Sequence, residues 1–181
     1  VSDVPVPKSL LVLGGARSGK SRHAQRLAEA SGRRPLLIAT AEAGDPEMAA
    51  RIARHAADRD PRWHVIEEPL ALAATLGREA RRDRVVVVDC MTLWLSNLLL
   101  RDLEPGAATQ VLVAAVAELA GPVILVSNEV GGGIVPDNAL ARAFRDAQGT
   151  LNQRLAEACE AVVLMAAGIA LRLKPGPDAK P

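Results

Sequence analysis

The sequence predicts an α/β fold, a mostly parallel sheet with helices on both faces. Three observations lead there. Short apolar runs of buried-strand type alternate with helical segments; a glycine-rich loop joins the first run to the first helix; and a four-valine run further on ends in a single acid. With 181 residues, 49% of them hydrophobic, the chain can bury one substantial core and is short for two. One domain is expected over 1–181, its core spanning about 10–173 and its ends flexible.

The first strand is 10–13. It feeds Gly14, Gly15, Ala16, Arg17, Ser18, Gly19, Lys20 and Ser21, which fit G-x-x-x-x-G-K-[ST]. Glycines let the backbone curl until successive N–H groups converge on phosphate oxygens, the lysine reaches the outer phosphates, and the hydroxyl after it can ligate Mg²⁺. These eight residues are expected to bind nucleotide, with Lys20 catalytic and Ser21 a metal ligand. Arg17 either neutralises phosphate or faces solvent. Residues 22–30 are helix-forming up to the stop signal Ser31-Gly32, so a triphosphate would sit on the positive end of that helix.

A second strand, 35–40, leads to a loop closed by Asp45 as helix cap and Pro46 at the first helical position. The spacing predicts a helix over 46–57, on which His55 shares a face with Met48 and Ile52. A polar turn follows at 58–62, then a strand at 63–66, and Glu67-Glu68-Pro69 opens a helix running to about Arg81. The plainest strand is 84–89. It resembles a Walker-B strand, because an acid at the carboxyl end of a central parallel strand beside the P-loop is placed to serve the Mg²⁺ of a bound triphosphate. Asp89 could instead cap the helix beginning near Met91. Helices are expected at 91–101 and 107–120, separated by Glu104, Pro105 and Gly106. Strand 122–127 runs into a glycine-rich loop, 128–136, at the edge where open α/β sheets bind ligands. A long helix at 137–160 and two closing strands, 161–166 and 169–173, around a turn at Gly168 complete the chain, with a disordered tail expected from 174.

The charge balance argues against several partners. Net charge is +1, so there is no global field to hold nucleic acid or an anionic membrane, and phosphate binding must be local. Aromatic residues are 2% of the chain, too few for a base-stacking platform. Two cysteines, Cys90 and Cys159, supply neither a disulfide framework nor a C-x-x-C metal site, which suits a reduced, cytoplasmic compartment. No apolar stretch reaches membrane-spanning length and no signal core follows the first residues, so neither secretion nor a membrane partner is expected.

A P-loop and an acid at a strand end imply Mg²⁺ with GTP or ATP, and leave motor, switch and kinase open. A guanine switch would carry an Asn-Lys-x-Asp motif, which Ser127-Asn128-Glu129-Val130 does not match, and a motor would need more chain. A small-molecule phosphotransferase suits the length best.

A resemblance then becomes specific. GGARSGKSRHA (14–24), EMAARIARH (47–55), DRDPRWHVIEEP (58–69), VVVVDCMTLWLSNLL (85–99), VSNEVGGGIVP (126–136) and FRDAQGTLNQRLA (144–156) together resemble the bifunctional adenosylcobinamide kinase/adenosylcobinamide-phosphate guanylyltransferase family of cobalamin biosynthesis. The resemblance covers about residues 10–173. It implies a cytoplasmic, trimeric enzyme with a RecA-like P-loop NTPase core. Such an enzyme phosphorylates the aminopropanol hydroxyl of adenosylcobinamide from ATP or GTP, then transfers GMP from GTP to give adenosylcobinamide-GDP.

In that family a histidine within H-x-x-x-R-P-x-x-W-x-x-x-E attacks the α-phosphate of GTP. His55, Arg59, Trp63 and Glu67 stand at those offsets, with Pro61 one residue later than the usual proline. Neutral imidazole is a competent nucleophile near pH 7, and a phosphoramidate divides one transfer into two easier steps. The resemblance also assigns Ala56, Ala57, Asp58 and Arg59 to nucleotide binding, together with Thr40, Ala41 and Glu42 after the second strand and Asp89 as nucleotide and metal ligand. Glu67 either holds the guanine N1–H and N2–H₂ or is an acid favoured by a helix dipole. Arg59 either grips phosphate or is a solvated turn residue. His23 and His64 are expected to be structural. Two other functions remain compatible with the motifs: a kinase of another small hydroxylated metabolite, and a non-catalytic GTP-binding regulator.

Overall fold

Among the described residues, seven strands form one sheet in the order β3-β2-β4-β5-β1-β6-β7. In chain order the elements are β1 (Ser9–Gly14), α1 (Lys20–Ala30), β2 (Arg34–Ala39), β3 (His64–Glu67), α2 (Leu72–Glu79), β4 (Arg84–Asp89), α3 (Met91–Leu99), α4 (Pro105–Glu118), β5 (Val123–Val126), α5 (Ala139–Ala158), β6 (Ala161–Ala166) and β7 (Ile169–Lys174). The computed structural model describes residues 6–42 and 60–175, so the helix expected over 46–57 lies outside the described residues. All neighbouring strands run parallel except β7, which returns antiparallel along β6 as the expected closing pair.

The central strands are apolar on both faces, as a covered parallel sheet requires. Alternate residues divide cleanly. Leu11, Leu36, Ile38, Val86, Val88 and Leu125 pack against α2, α3, α4 and α5 through Leu72, Leu76, Trp94, Leu95, Leu112 and Leu151. Leu10, Val12, Leu37, Val87 and Val126 face the other way, against Ala24 and Ala28 of α1 and the indole of Trp63. Helices therefore cover both faces, four on one side and, among the described residues, α1 on the other.

Local caps explain where the element ends differ from expectation. The carboxylate of Glu68 accepts hydrogen bonds from Leu70 N and Ala71 N, and α2 begins at Leu72 instead of at Glu67–Pro69. Glu104 accepts from Gly106 N and Ala107 N with Pro105 at the first helical position, so those residues start α4 instead of separating two helices. Asn138 Oδ1 accepts from Ala141 N at 2.7 Å and sets the start of α5. Trp63 falls in the turn before β3, and Lys174 belongs to β7, its ammonium donating to Ala156 O and Glu157 O.

The order also places β5 between β1 and β4. The P-loop strand and the acid-bearing strand are thus one strand apart, and the residues after β5 emerge between them.

Candidate active site

Residues 14–21 turn from β1 into α1 at the carboxyl edge of the sheet's centre. A Cβ on Gly14, at φ 151°, would lie 2.5 Å from Met165 O and 2.6 Å from Ser18 Oγ, so the loop can start this tightly only on glycine. Gly19 enters the helix with φ 97°, a left-handed conformation that again favours glycine. Lys20 is buried, and its Nζ donates to Gly15 O at 2.6 Å, which lays the ammonium across the start of the loop. Burial pushes its pKa below the usual lysine value, and the negative charge of Asp89 partly offsets that push. Lys20 and Asp89 therefore sit within reach of one another's field although their strands are not neighbours. Ser18 Oγ is buried without a partner among the described residues, as suits a loop whose hydrogen bonding is completed by a ligand. Arg17, at φ 56°, is exposed on the loop's outer turn.

Asp89 closes β4 in register with Val126 of β5 and Ala39 of β2. The residue at the cap of α3 is Cys90, whose own side chain makes no capping hydrogen bond, so the cap position is not Asp89. Its neighbourhood is braced by Thr40, which is fully buried. Thr40 Oγ1 donates to Cys90 O at 2.6 Å and accepts from Cys90 N at 2.8 Å, while Thr40 N donates to Asp89 O. A threonine expected to line the nucleotide thus has its hydroxyl committed to holding the β4–α3 turn. Asn97 of α3 extends the brace by donating to Thr40 O and Pro69 O. Asn97 escaped the sequence reading; its one signal was an amide inside the otherwise apolar helix LWLSNLL.

Ala41 and Glu42 continue the carboxyl edge of β2, and the exposed Glu42 pairs with Arg101 through both oxygens at 2.8 Å. Glu67 ends β3 beside Ala39 with its carboxylate exposed. The acid that serves the following helix is Glu68, whose pKa is lowered: burial pushes it up but is outweighed by the hydrogen bonds from Leu70 N, Ala71 N and Thr75. The dipole alternative for Glu67 is thereby taken over by its neighbour. Trp63 Nε1 donates to Glu29 Oε1 at 3.0 Å and pins the 60–63 turn to α1. His23 is half-buried, and burial with nearby Arg26 lowers its pKa, leaving it neutral at pH 7. His64 is exposed on β3, not held in the core. His55, Ala56, Ala57, Asp58 and Arg59 lie outside the described residues.

The segment after β5 completes the edge. Ser127 Oγ donates to Asn152 Oδ1 at 2.6 Å, Gln148 Nε2 donates to both, and Asn152 Nδ2 donates to Asn128 O. Asn128 N donates to Thr92 Oγ1 on α3, and Glu129 N donates to Gly14 O at 2.9 Å. Between this segment, the P-loop and the β6–β7 turn lies a cleft of about 630 Å³, bordered by 15–18, Glu129, Val130, Gly132, Gly133 and 164–167.

Among the described residues no group of three or more metal-binding side chains occurs. Ser21 on α1 and Asp89 at the end of β4 carry oxygen donors, the ligand type that magnesium takes.

The comparisons agree on the kind of molecule this is. The family model described as cobinamide kinase / cobinamide phosphate guanyltransferase matches residues 10–173. The bifunctional adenosylcobalamin biosynthesis protein CobP of Pseudomonas aeruginosa is 52% identical over 170 residues, 92% of this chain and 98% of that protein. The corresponding protein CobU of Escherichia coli is 41% identical over 180 residues, 91% of this chain and 99% of its own length. In fold the chain is similar to the flagellar accessory protein FlaH from Methanocaldococcus jannaschii, with a TM-score of 0.52 at 13% identity over 98% of this chain and 84% of that one. The expected α/β fold with a mostly parallel sheet and helices on both faces is borne out, and the chain belongs to the bifunctional cobinamide kinase / cobinamide phosphate guanyltransferase family.

Proposed function

We propose that this chain, as one P-loop domain, phosphorylates the aminopropanol hydroxyl of adenosylcobinamide from ATP or GTP and then passes GMP from GTP to the product through a guanylylated His55. The observation that carries the kinase half is a buried Lys20 whose ammonium is folded onto Gly15 O at the start of the loop, with Asp89 ending the strand one beyond β5. A desolvated cation at the start of the loop stabilises charge on the transferred phosphoryl group more strongly than an exposed one would. Gly15, Ala16 and Gly19 offer backbone N–H groups to the phosphates, Ser18 offers its buried hydroxyl, unpartnered among the described residues, and Arg17 adds charge at the rim. Ser21 and Asp89 are the residues that would hold Mg²⁺, which when bound shields the phosphate oxygens from the incoming nucleophile.

His55 is supported by its place in the family pattern, with Trp63 and Glu67 at the expected offsets. Glu67 is assigned to the guanine N1–H and N2–H₂, and Arg59 to phosphate. Ala41, Glu42, Ala56, Ala57 and Asp58 complete the proposed nucleotide contacts, with Thr40 acting through the brace on Asp89. A homotrimer is proposed as well, and the row Ile169, Leu171 and Leu173, exposed along edge strand β7, is the kind of apolar surface that an assembly covers. A cytoplasmic location without nucleic-acid or membrane partners fits the charge balance, and among the described residues no helix is long and apolar enough to cross a membrane.

The test is His55→Ala. It should abolish an acid-labile, alkali-stable adduct that takes label from α-³²P but not γ-³²P GTP, and abolish adenosylcobinamide-GDP formation, while leaving appreciable phosphorylation of adenosylcobinamide. Retention of the adduct would move the nucleophile to another residue, with exposed His64 the first to try.

A further inference from the structure

The fold fixes the residues after β5 against the P-loop. Glu129 N is hydrogen-bonded to the carbonyl of Gly14, the first residue of the loop. The preceding residue, Asn128, is held at both ends of its backbone, by Thr92 and by Asn152, and Asn152 belongs to a buried cluster with Ser127 and Gln148. A rigid support of this kind is what a positioned catalytic side chain needs. The side chain it carries is an exposed carboxylate, and Glu129 borders the same 630 Å³ cleft as residues 15–18 of the P-loop.

Which end of a bound nucleotide this acid would meet follows from Lys20. Its ammonium lies at Gly15 O, and a P-loop lysine contacts the outer phosphates, so the transferred phosphoryl group belongs at the Gly15 end of the loop. Gly15 borders the same cleft as Glu129. An anion beside the terminal phosphate repels it and adds nothing to nucleotide binding. Facing a group that must surrender a proton as it attacks, the same anion is useful. Val130, Leu164, Met165 and Ala166 supply apolar wall on that side, suited to the carbon skeleton of an alcohol.

We propose that Glu129 is the general base of the kinase half-reaction, and that the cleft between the 129–133 segment and the β6–β7 turn receives the acceptor hydroxyl. The assignment rests on the kinase reading above. As the hydroxyl oxygen bonds to the terminal phosphorus, the Glu129 carboxylate takes its proton. The bond from that phosphorus to the bridging oxygen breaks, the nucleoside diphosphate leaves with the electron pair, and the proton passes from Glu129 to solvent. In the resting enzyme the carboxylate is held by the N–H of Gly131, and a Cβ at Gly131 would lie 2.8 Å from its Oε1. An alanine there would push the carboxylate aside without touching the P-loop.

The experiment measures both half-reactions separately in Glu129→Gln, Glu129→Asp and Gly131→Ala, with adenosylcobinamide as kinase acceptor and preformed adenosylcobinamide phosphate as GMP acceptor. Glu129→Gln should lower kcat for phosphorylation by about 10²–10³-fold, leave the KM for ATP unchanged, and flatten the acid limb of the kinase pH profile. GMP transfer should stay within about twofold of wild type, since His55 supplies that chemistry. Glu129→Asp should restore the acid limb, and Gly131→Ala should give a smaller, kinase-selective loss. Undiminished phosphorylation in Glu129→Gln, a retained acid limb, or an equal fall of both activities would overturn the assignment of Glu129 alone. A wild-type enzyme that fails to phosphorylate adenosylcobinamide would overturn the kinase reading and this proposal with it.

Discussion

Replacing Lys20 by Met removes one charge and keeps most of a buried stem. The folded protein holds the lysine pKa below its ordinary value of 10.5, chiefly through burial. The unfolded chain therefore binds that proton more tightly, so a charged Lys20 opposes folding at neutral pH; the opposition fades only as pH rises through the folded pKa toward 10.5. Lys20→Met should consequently be at least as stable as wild type without nucleotide. Function should move the other way. Loss of a preorganised donor at a transferred group costs about 10²–10³ in kcat, or about 2.7–4 kcal/mol. Ligand linkage gives a second measure: nucleotide at 100 times its Kd stabilises wild type by about 2.7 kcal/mol, a rise of about 5–10 °C in Tm for a chain of this size. Each tenfold loss of affinity removes about 1.4 kcal/mol of that gain. Thermal scans with and without ATP, beside a phosphorylation assay on adenosylcobinamide, read all three quantities. Near wild-type phosphorylation by Lys20→Met, or a nucleotide-free Tm lowered by more than about 5 °C, would refute the reasoning.

Asp89→Asn keeps the β4–α3 turn, because Thr40 grips that turn through the Asp89 and Cys90 backbone and not through the carboxylate. Turnover should fall by about 10²-fold or more with the thermal transition retained, and a lost transition with intact turnover would count against the nucleotide role. The thiols offer a check on packing: burial raises both Cys90 and Cys159 to about 11, helped at Cys90 by Asp89. At pH 8 only about a thousandth of each is thiolate, so a colorimetric disulfide reagent should label neither in the folded enzyme and both in guanidinium; fast labelling of the native protein would contradict the buried placement.

The strands were legible because each is a short apolar run bounded by punctuation, and a parallel sheet covered on both faces demands such runs. The P-loop was legible for a different reason: its glycines answer steric demands, at Gly14 against Met165 O and at Gly19 through its left-handed φ, that no other residue meets. Strand order was not legible. Nothing local in VILV says that β5 inserts between β1 and β4, since that choice is made by crossovers and by helix packing. Capping acids were not legible for a similar reason. Adjacent Glu67 and Glu68 look alike in sequence, and only the backbone path decides that one ends a strand while the other turns onto Leu70 N and Ala71 N. The bracing role of Thr40, and Asn97 altogether, escaped because a buried polar side chain that braces two turns leaves no periodic trace.

The sheet order bears on how one P-loop serves two transfers. Phosphorylation needs an acceptor at the terminal phosphorus, whereas guanylylation attacks the α-phosphorus and expels pyrophosphate. Glu129 stands on the segment that touches Gly14, directly beside the loop. Glu67 ends β3, four strand spacings from β1, or about 19 Å of sheet width. On the assignments made here, the kinase acceptor enters beside β1 and β6, and the guanine is read toward the β3 edge. The two reacting phosphorus atoms are then approached from opposite flanks of the P-loop. A change at Glu129 and a change at His55 disable different half-reactions for that reason, while a change at Lys20, which both donors must pass, disables the two together.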